Sequence, residues 1–108
     1  MDLNVKRTGT RSVVQVEGDI DLHSSPELRE TVLDLFRNRK QEEIILNLTG
    51  VSYIDSSGIA SLVEGLQEAR KMNGRFVLVG LRDGPRHVLE LTRLLNVFEI
   101  AETEEAVT

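Results

Sequence analysis

Asp55-Ser56-Ser57-Gly58 is the stretch of this chain whose residue types could do chemistry, a carboxylate and two hydroxyls in succession. Directly behind it, Ile59, Leu62, Val63, Leu66 and Ala69 recur at a 3.6-residue period, which predicts an amphipathic helix running to about Met72. Asp55, Ser56 or Ser57 is then the N-cap, its side-chain oxygen accepting a bond from an orphan backbone N–H. A helix start carries free donors and partial positive charge, so a phosphate on a serine there is accommodated without melting the helix. Two readings follow from these residues: a phosphorylatable hydroxyl, or a cap and nothing more.

Catalysis by a serine nucleophile would need a base, and the chain has only His23 and His87. His23 stands beside the capping residue Ser24, and His87 falls early in a later helix, so both read as solvated side chains. The Gly-x-Ser-x-Gly elbow of α/β-hydrolases is missing, because no glycine precedes the serines by two. Neither Gly-x4-Gly-Lys nor Gly-x-Gly-x-x-Gly occurs, so no nucleotide cofactor is expected. Asp19-Ile20-Asp21 supplies two carboxylates, but no third ligand stands at a recognisable spacing, and no metal site is expected. The expectation is a binding protein, not an enzyme.

Two details exceed what a plain cap requires. Gly58 near the start of the helix gives up about 1 kcal/mol of propensity relative to alanine. Gly58, Ser61 and Gly65 also share one side of the apolar face, a strip of low relief. Either another surface approaches that strip, or the strip packs closely on the protein's own sheet.

The elements that must position this stretch are legible in order. Residues 3–8 and 12–17 read as strands joined by a turn at Thr8-Gly9-Thr10-Arg11, a hairpin. After a Gly18-Asp19-Ile20-Asp21 loop, Ser24 and Glu27 have capping-box spacing with Pro26 in the first turn, and Leu28, Val32, Leu35 and Phe36 predict a helix to about Asn38. Residues 43–48, including Ile44-Ile45-Leu46-Asn47-Leu48, predict the strand that feeds the central loop. Asn73-Gly74 closes the central helix. Residues 76–79 form a further buried-type strand, Asp83-Gly84-Pro85 opens a third helix with Val88, Leu91, Leu94 and Leu95 on its apolar side, and residues 97–100 make a last short strand. The acidic remainder, 101–108, is a short helix or frayed. A hairpin followed by alternating helix and strand implies one α/β domain over residues 1–108, with a mixed sheet and right-handed parallel crossovers.

Composition narrows the partners. A chain of 108 residues suits one core, and with 40% hydrophobic but only 4% aromatic residues, Leu, Val and Ile must fill it. The net charge is −5 and no basic stripe is visible, which argues against direct nucleic-acid binding. No apolar run is long enough for a membrane span, and the first residues lack a basic-then-apolar signal pattern, so a cytoplasmic location is expected. There is no cysteine for a disulfide or thiolate site.

The run Ile45-Leu46-Asn47-Leu48 followed by Val51-Ser52-Tyr53-Ile54-Asp55-Ser56-Ser57-Gly58-Ile59 resembles the signature of STAS domains, and more narrowly of bacterial anti-sigma factor antagonists. The resemblance extends over nearly the whole chain. Gly18-Asp19-Ile20-Asp21 is similar to the family's loop before its first helix, and Gly74-Arg75-Phe76-Val77-Leu78-Val79 to its next strand. It implies a partner switch: the unphosphorylated antagonist binds an anti-sigma factor and frees a sigma factor. That anti-sigma factor, a serine kinase, phosphorylates the antagonist to end the association, and a PP2C-type phosphatase reverses the modification. Carried over by position, the acceptor is Ser56. Asp21 and Asp55 are its acidic flanks, and Ser57 and Gly58 complete the loop and helix start; Ser61, from the low-relief strip, is added to these as an expected partner-binding residue.

Two other readings compete. A receiver domain phosphorylated on Asp55 needs an acidic pair after its first strand and a lysine ending a late strand. This chain opens with a hairpin instead, and its 76–79 strand runs into Gly80-Leu81-Arg82. A STAS domain serving as a scaffold, or as an accessory subunit of a signalling or lipid-transport complex, would share both fold and loop.

Overall fold

In the computed structural model, which describes residues 1–107, the N-terminal hairpin pairs β1 (Asp2–Thr8) with β2 (Arg11–Glu17) from Asp2 opposite Glu17 to Thr8 opposite Arg11. Gly9 takes a φ of 61° in the two-residue turn, the left-handed geometry that tight hairpins require. Four elements follow in alternation: α1 (Ser25–Arg37), β3 (Glu43–Gly50), α2 (Ser56–Lys71) and β4 (Arg75–Val79). Then come α3 (Asp83–Leu91), β5 (Glu99–Ala101) and a 3-10 turn over Glu104–Ala106. The sheet order is β1-β2-β3-β4-β5, antiparallel at the hairpin and parallel thereafter, which is the mixed sheet the alternation predicts.

Strand side chains alternate between faces, and the sequence uses both. Val14, Val16, Ile44, Leu46, Leu48, Phe76 and Leu78 face a core completed by Leu28 and Val32 of α1, Leu62 and Leu66 of α2, and Leu89 of α3. Ile45, Val77 and Val79 point the other way, where Val107 of the C-terminal segment covers them. That is why β3 and β4 read as unbroken apolar runs. The segment is anchored by Glu104, whose carboxylate accepts from the Asn47 amide at 2.6 Å. At the opposite end of the sheet from the central loop, charges of alternating sign tie the parallel strands. Arg11 Nε lies 2.9 Å from Glu43 Oε1, Arg75 Nη1 lies 2.8 Å from Glu43 Oε2, and Arg75 Nε donates to Glu99 at 2.9 Å.

Several local expectations need correction. The Ser24–Glu27 capping box does not form, because Ser24 is turned upstream. Its backbone N–H donates to Asp21 Oδ1 at 3.1 Å, and its hydroxyl accepts from the Asp21 N–H at 2.9 Å. The reciprocal pair therefore sits one turn earlier, at Asp21 and Ser24. In α3 the apolar side is shifted: Leu89 is fully buried whereas Leu91 is exposed, and Leu94 and Leu95 lie beyond the end of the helix. The last strand is only three residues, starting at Glu99. Of the two readings of the acidic tail, the short helix is the one that forms, as a single 3-10 turn over Glu104–Ala106 that the Thr103 side chain caps by accepting from the Ala106 N–H at 3.2 Å.

Candidate functional site

The loops after β2 and β3 meet at the carboxyl end of the parallel strands, where open α/β sheets place their sites. They are joined as a short extra piece of sheet: Ile20 bridges Ile54 in parallel, the Ile20 N–H donates to the Tyr53 carbonyl at 3.1 Å, and the Asp55 N–H donates to the Ile20 carbonyl at 3.1 Å. Asp55 is the N-cap of α2. One of its carboxylate oxygens accepts from the Gly58 N–H at 3.0 Å, and the other accepts from the Leu22 N–H at 3.1 Å. A single side chain thus caps the helix and fastens the neighbouring loop to it.

With Asp55 as the cap, both serines belong to the helix. Ser56 is its first residue and is exposed; Ser57 is half-buried. The N–H groups of an opening turn have no intrahelical acceptor, and Asp55 takes only that of Gly58. The remaining donors and the helix dipole therefore lie at the base of the Ser56 side chain, ready for an anion.

Asp21 serves a second, parallel role. Its carboxylate accepts from the N–H groups of His23 at 2.9 Å and Ser24 at 3.1 Å. The Ser24 N–H is the chief cause that holds the Asp21 carboxyl below its usual 3.8, with burial opposing it and the His23 N–H assisting. A depressed folded-state pKa contributes stability that is present above the unfolded value and is lost as pH falls through the folded one. Titration of the Asp21 carboxyl by carbon-detected NMR is accordingly expected to give a midpoint below 3.8. A midpoint at or above that value would mean that the turn does not hold in solution.

Of the two readings of the small-residue strip, close packing is what the structure has. Gly58 and Ser61 are buried; Ser61 donates its hydroxyl toward the Ser25 and Ser57 carbonyls, each at 3.2 Å, joining α2 to the start of α1. Gly65 faces Phe76 and Val32. The expectation that Gly58 and Ser61 themselves form part of a partner surface is replaced by a packing role, and the accessible residues of the site are Asp21, Asp55, Ser56 and Ser57. His23 and His87 are both exposed, and among the described residues neither is hydrogen-bonded to a serine. No group of three or more His, Cys, Asp or Glu among the described residues could hold a metal ion.

Two residues that the motif reading passed over stand at the same rim. Leu22 is 68% exposed and Tyr53 is 53% exposed. Their signal in the sequence was faint, because each stands beside apolar residues that are buried, Ile20 in one loop and Val51 and Ile54 in the other.

The profile of the STAS domain family matches residues 2–107. The chain belongs to the STAS domain family. Among its curated relatives, the anti-sigma-B factor antagonist of Staphylococcus aureus is 31% identical over 107 residues, covering 97% of this chain and 98% of that one. The anti-sigma-B factor antagonist of Listeria monocytogenes is 29% identical over 105 residues, covering 96% and 91%. Among solved structures, the phosphorylated form of the Bacillus cell fate determinant SpoIIAA superposes with a TM-score of 0.77 at 23% identity, covering 98% of this chain and 96% of that one. The STAS fold thus places the Asp55–Gly58 turn at the head of α2, and among the described residues no helix is long and apolar enough to cross a membrane.

Proposed function

We propose that this chain is an anti-sigma factor antagonist that works by partner exchange. Unphosphorylated, it holds an anti-sigma factor and leaves a sigma factor free for transcription. The anti-sigma factor, acting as an ATP-dependent serine kinase, phosphorylates Ser56 and is released, and a PP2C-type phosphatase resets the switch. The chain itself turns over nothing. The observation that carries this reading is the exposed Ser56 hydroxyl on the first residue of α2, in a chain that aligns over nearly its full length with curated antagonists. The docking rim in this reading is Asp21, Asp55 and Ser57, on the two loops that the Ile20–Ile54 bridge and the Leu22–Asp55 hydrogen bond join at the head of α2, with Gly58 and Ser61 packed beneath them.

The bond chemistry of the phosphate tests the assignment. A phosphoserine is an ester and withstands hydroxylamine, whereas a phosphate on Asp55 would be a mixed anhydride that hydroxylamine cleaves. Chain labelled by the kinase-type anti-sigma factor and ATP is expected to keep its label under hydroxylamine, with fragmentation placing it on Ser56. Loss of the label would make Asp55 the acceptor and the chain a receiver. A stable label on Ser57 would move the acceptor one residue along the same helix end.

A further inference from the structure

Six large hydrophobic side chains are exposed among the described residues: Val5, Leu22, Tyr53, Met72, Leu91 and Val97. Four of them are scattered. Val5 lies on β1, Met72 follows the end of α2, Leu91 is the last residue of α3 and Val97 lies between α3 and β5, none of them on the two loops beside Ser56. Only Leu22 and Tyr53 stand at the carboxyl end of the parallel strands. Isolated exposed hydrophobics are ordinary, but two at one rim beside a candidate modification site are not scatter.

Both are also mounted rigidly. Leu22 gives its backbone N–H to Asp55, the residue before Ser56, and the Tyr53 carbonyl accepts from Ile20 in the bridge that joins the two loops. Side chains carried on a fixed backbone lose less entropy when a partner covers them. Tyrosine adds a large apolar area with few rotatable bonds and a polar tip, the kind of residue that dominates interface energies.

The charge around them bears on how the switch would release its partner. Asp19, Asp21 and Asp55 make the rim acidic, and a partner matched to that rim is basic. Against a basic partner, a phosphate on Ser56 would add attraction if the contact were open to water. Between apolar anchors the phosphate must instead shed its water, and stripping an ion costs more than a fixed pairing returns unless every oxygen finds a partner.

We propose that Leu22 and Tyr53 are the apolar anchors that seat the anti-sigma factor, entering two apolar sockets on it, and that desolvation of the Ser56 phosphate beside them is what ends the association. This inference rests on the proposed function above. Its test uses the purified kinase-type anti-sigma factor of the same organism and calorimetric Kd values for the full chain. Leu22→Ala and Tyr53→Ala are each expected to weaken binding about tenfold or more. Tyr53→Phe is expected to stay within about threefold of the parent, as is Met72→Ala at the far end of α2. All four variants should keep the parent's circular dichroism, since the positions are exposed. The weakening caused by Ser56 phosphorylation should persist from about 50 to about 500 mM salt, a range over which repulsion between exposed charges is largely screened. A parent chain that does not bind at all overturns the proposed function and this inference with it. A parent that binds while both alanine variants bind equally well overturns this inference alone. A phosphorylation effect that collapses as salt rises would replace desolvation with simple charge repulsion.

Discussion

Phosphorylation of Ser56 is expected to weaken the hold on the anti-sigma factor about a thousandfold, the equivalent of about 4 kcal/mol, without unfolding the chain. The modification adds roughly −1.5 to −2 charges at neutral pH, which the head of α2 tolerates because its dipole and free N–H groups favour an anion. The fold therefore survives, and the cost appears only where a partner must cover the phosphate. Ser56→Ala is expected to remain bound, resist the kinase and hold the switch on. Because Asp55 is the cap, the alanine removes no capping bond, and its effect on stability should fall within about 0.5 kcal/mol of the parent. Ser56→Asp should bind much more weakly, although a carboxylate carries less charge than phosphate and a different shape. Titration of each variant into the anti-sigma factor, with denaturant melts alongside, reads both halves. A natively folded Ser56→Ala that fails to bind would make the hydroxyl a required contact, and the switch would then need another origin.

How far the sequence spoke for itself differs between elements. The hairpin, the parallel order and the helix behind Asp55 were all legible because they rest on periodicity and turn residues, which are local signals. The three residues that could cap α2 were not separable locally. Asp55 is singled out by the Leu22 N–H, a contact from a loop 33 residues upstream. Ser24 has a different cause, because two local partners compete for it: its spacing to Glu27 suits a capping box, but its backbone N–H and hydroxyl are bound to Asp21, three residues upstream. In α3 the leucines at 89, 91, 94 and 95 allow more than one helical phase, and packing on the sheet chose Leu89. Leu22 and Tyr53 escaped notice for the opposite reason: an apolar residue in a loop has no period to betray it, and only its exposure sets it apart.

Gly58→Ala is expected to destabilise the chain by about 2 kcal/mol, against its helix propensity. At an open helix position the change would gain about 1 kcal/mol. Here an added Cβ would stand 2.4 Å from Ile54 Cγ1, 2.6 Å from the Ile20 carbonyl oxygen and 2.9 Å from Ile20 Cγ2. Ile54 is 2% exposed and Ile20 fully buried, so neither side chain has room to retreat, and the carbonyl belongs to backbone that also accepts the Asp55 N–H. Overpacking of this kind costs roughly 1–3 kcal/mol, and a backbone neighbour puts it at the upper end, about 3 before the propensity gain is returned. For a domain of this size the net loss lowers Tm by about 10 °C. The strain falls on the Ile20–Ile54 bridge, which carries the loop of Leu22 and Asp21, so partner binding should weaken even at temperatures where the chain stays folded. Gly65→Ala is the internal comparison. Its nearest neighbours are the ring of Phe76 at 3.0 Å and a methyl of Val32 at 3.2 Å, side-chain atoms that can give by a few tenths of an ångström. It should shift Tm by less than half as much and leave binding intact. Equal melting of Gly58→Ala and the parent would mean that the bridge between the two loops yields freely, and the rigid mounting of the site would have to be abandoned.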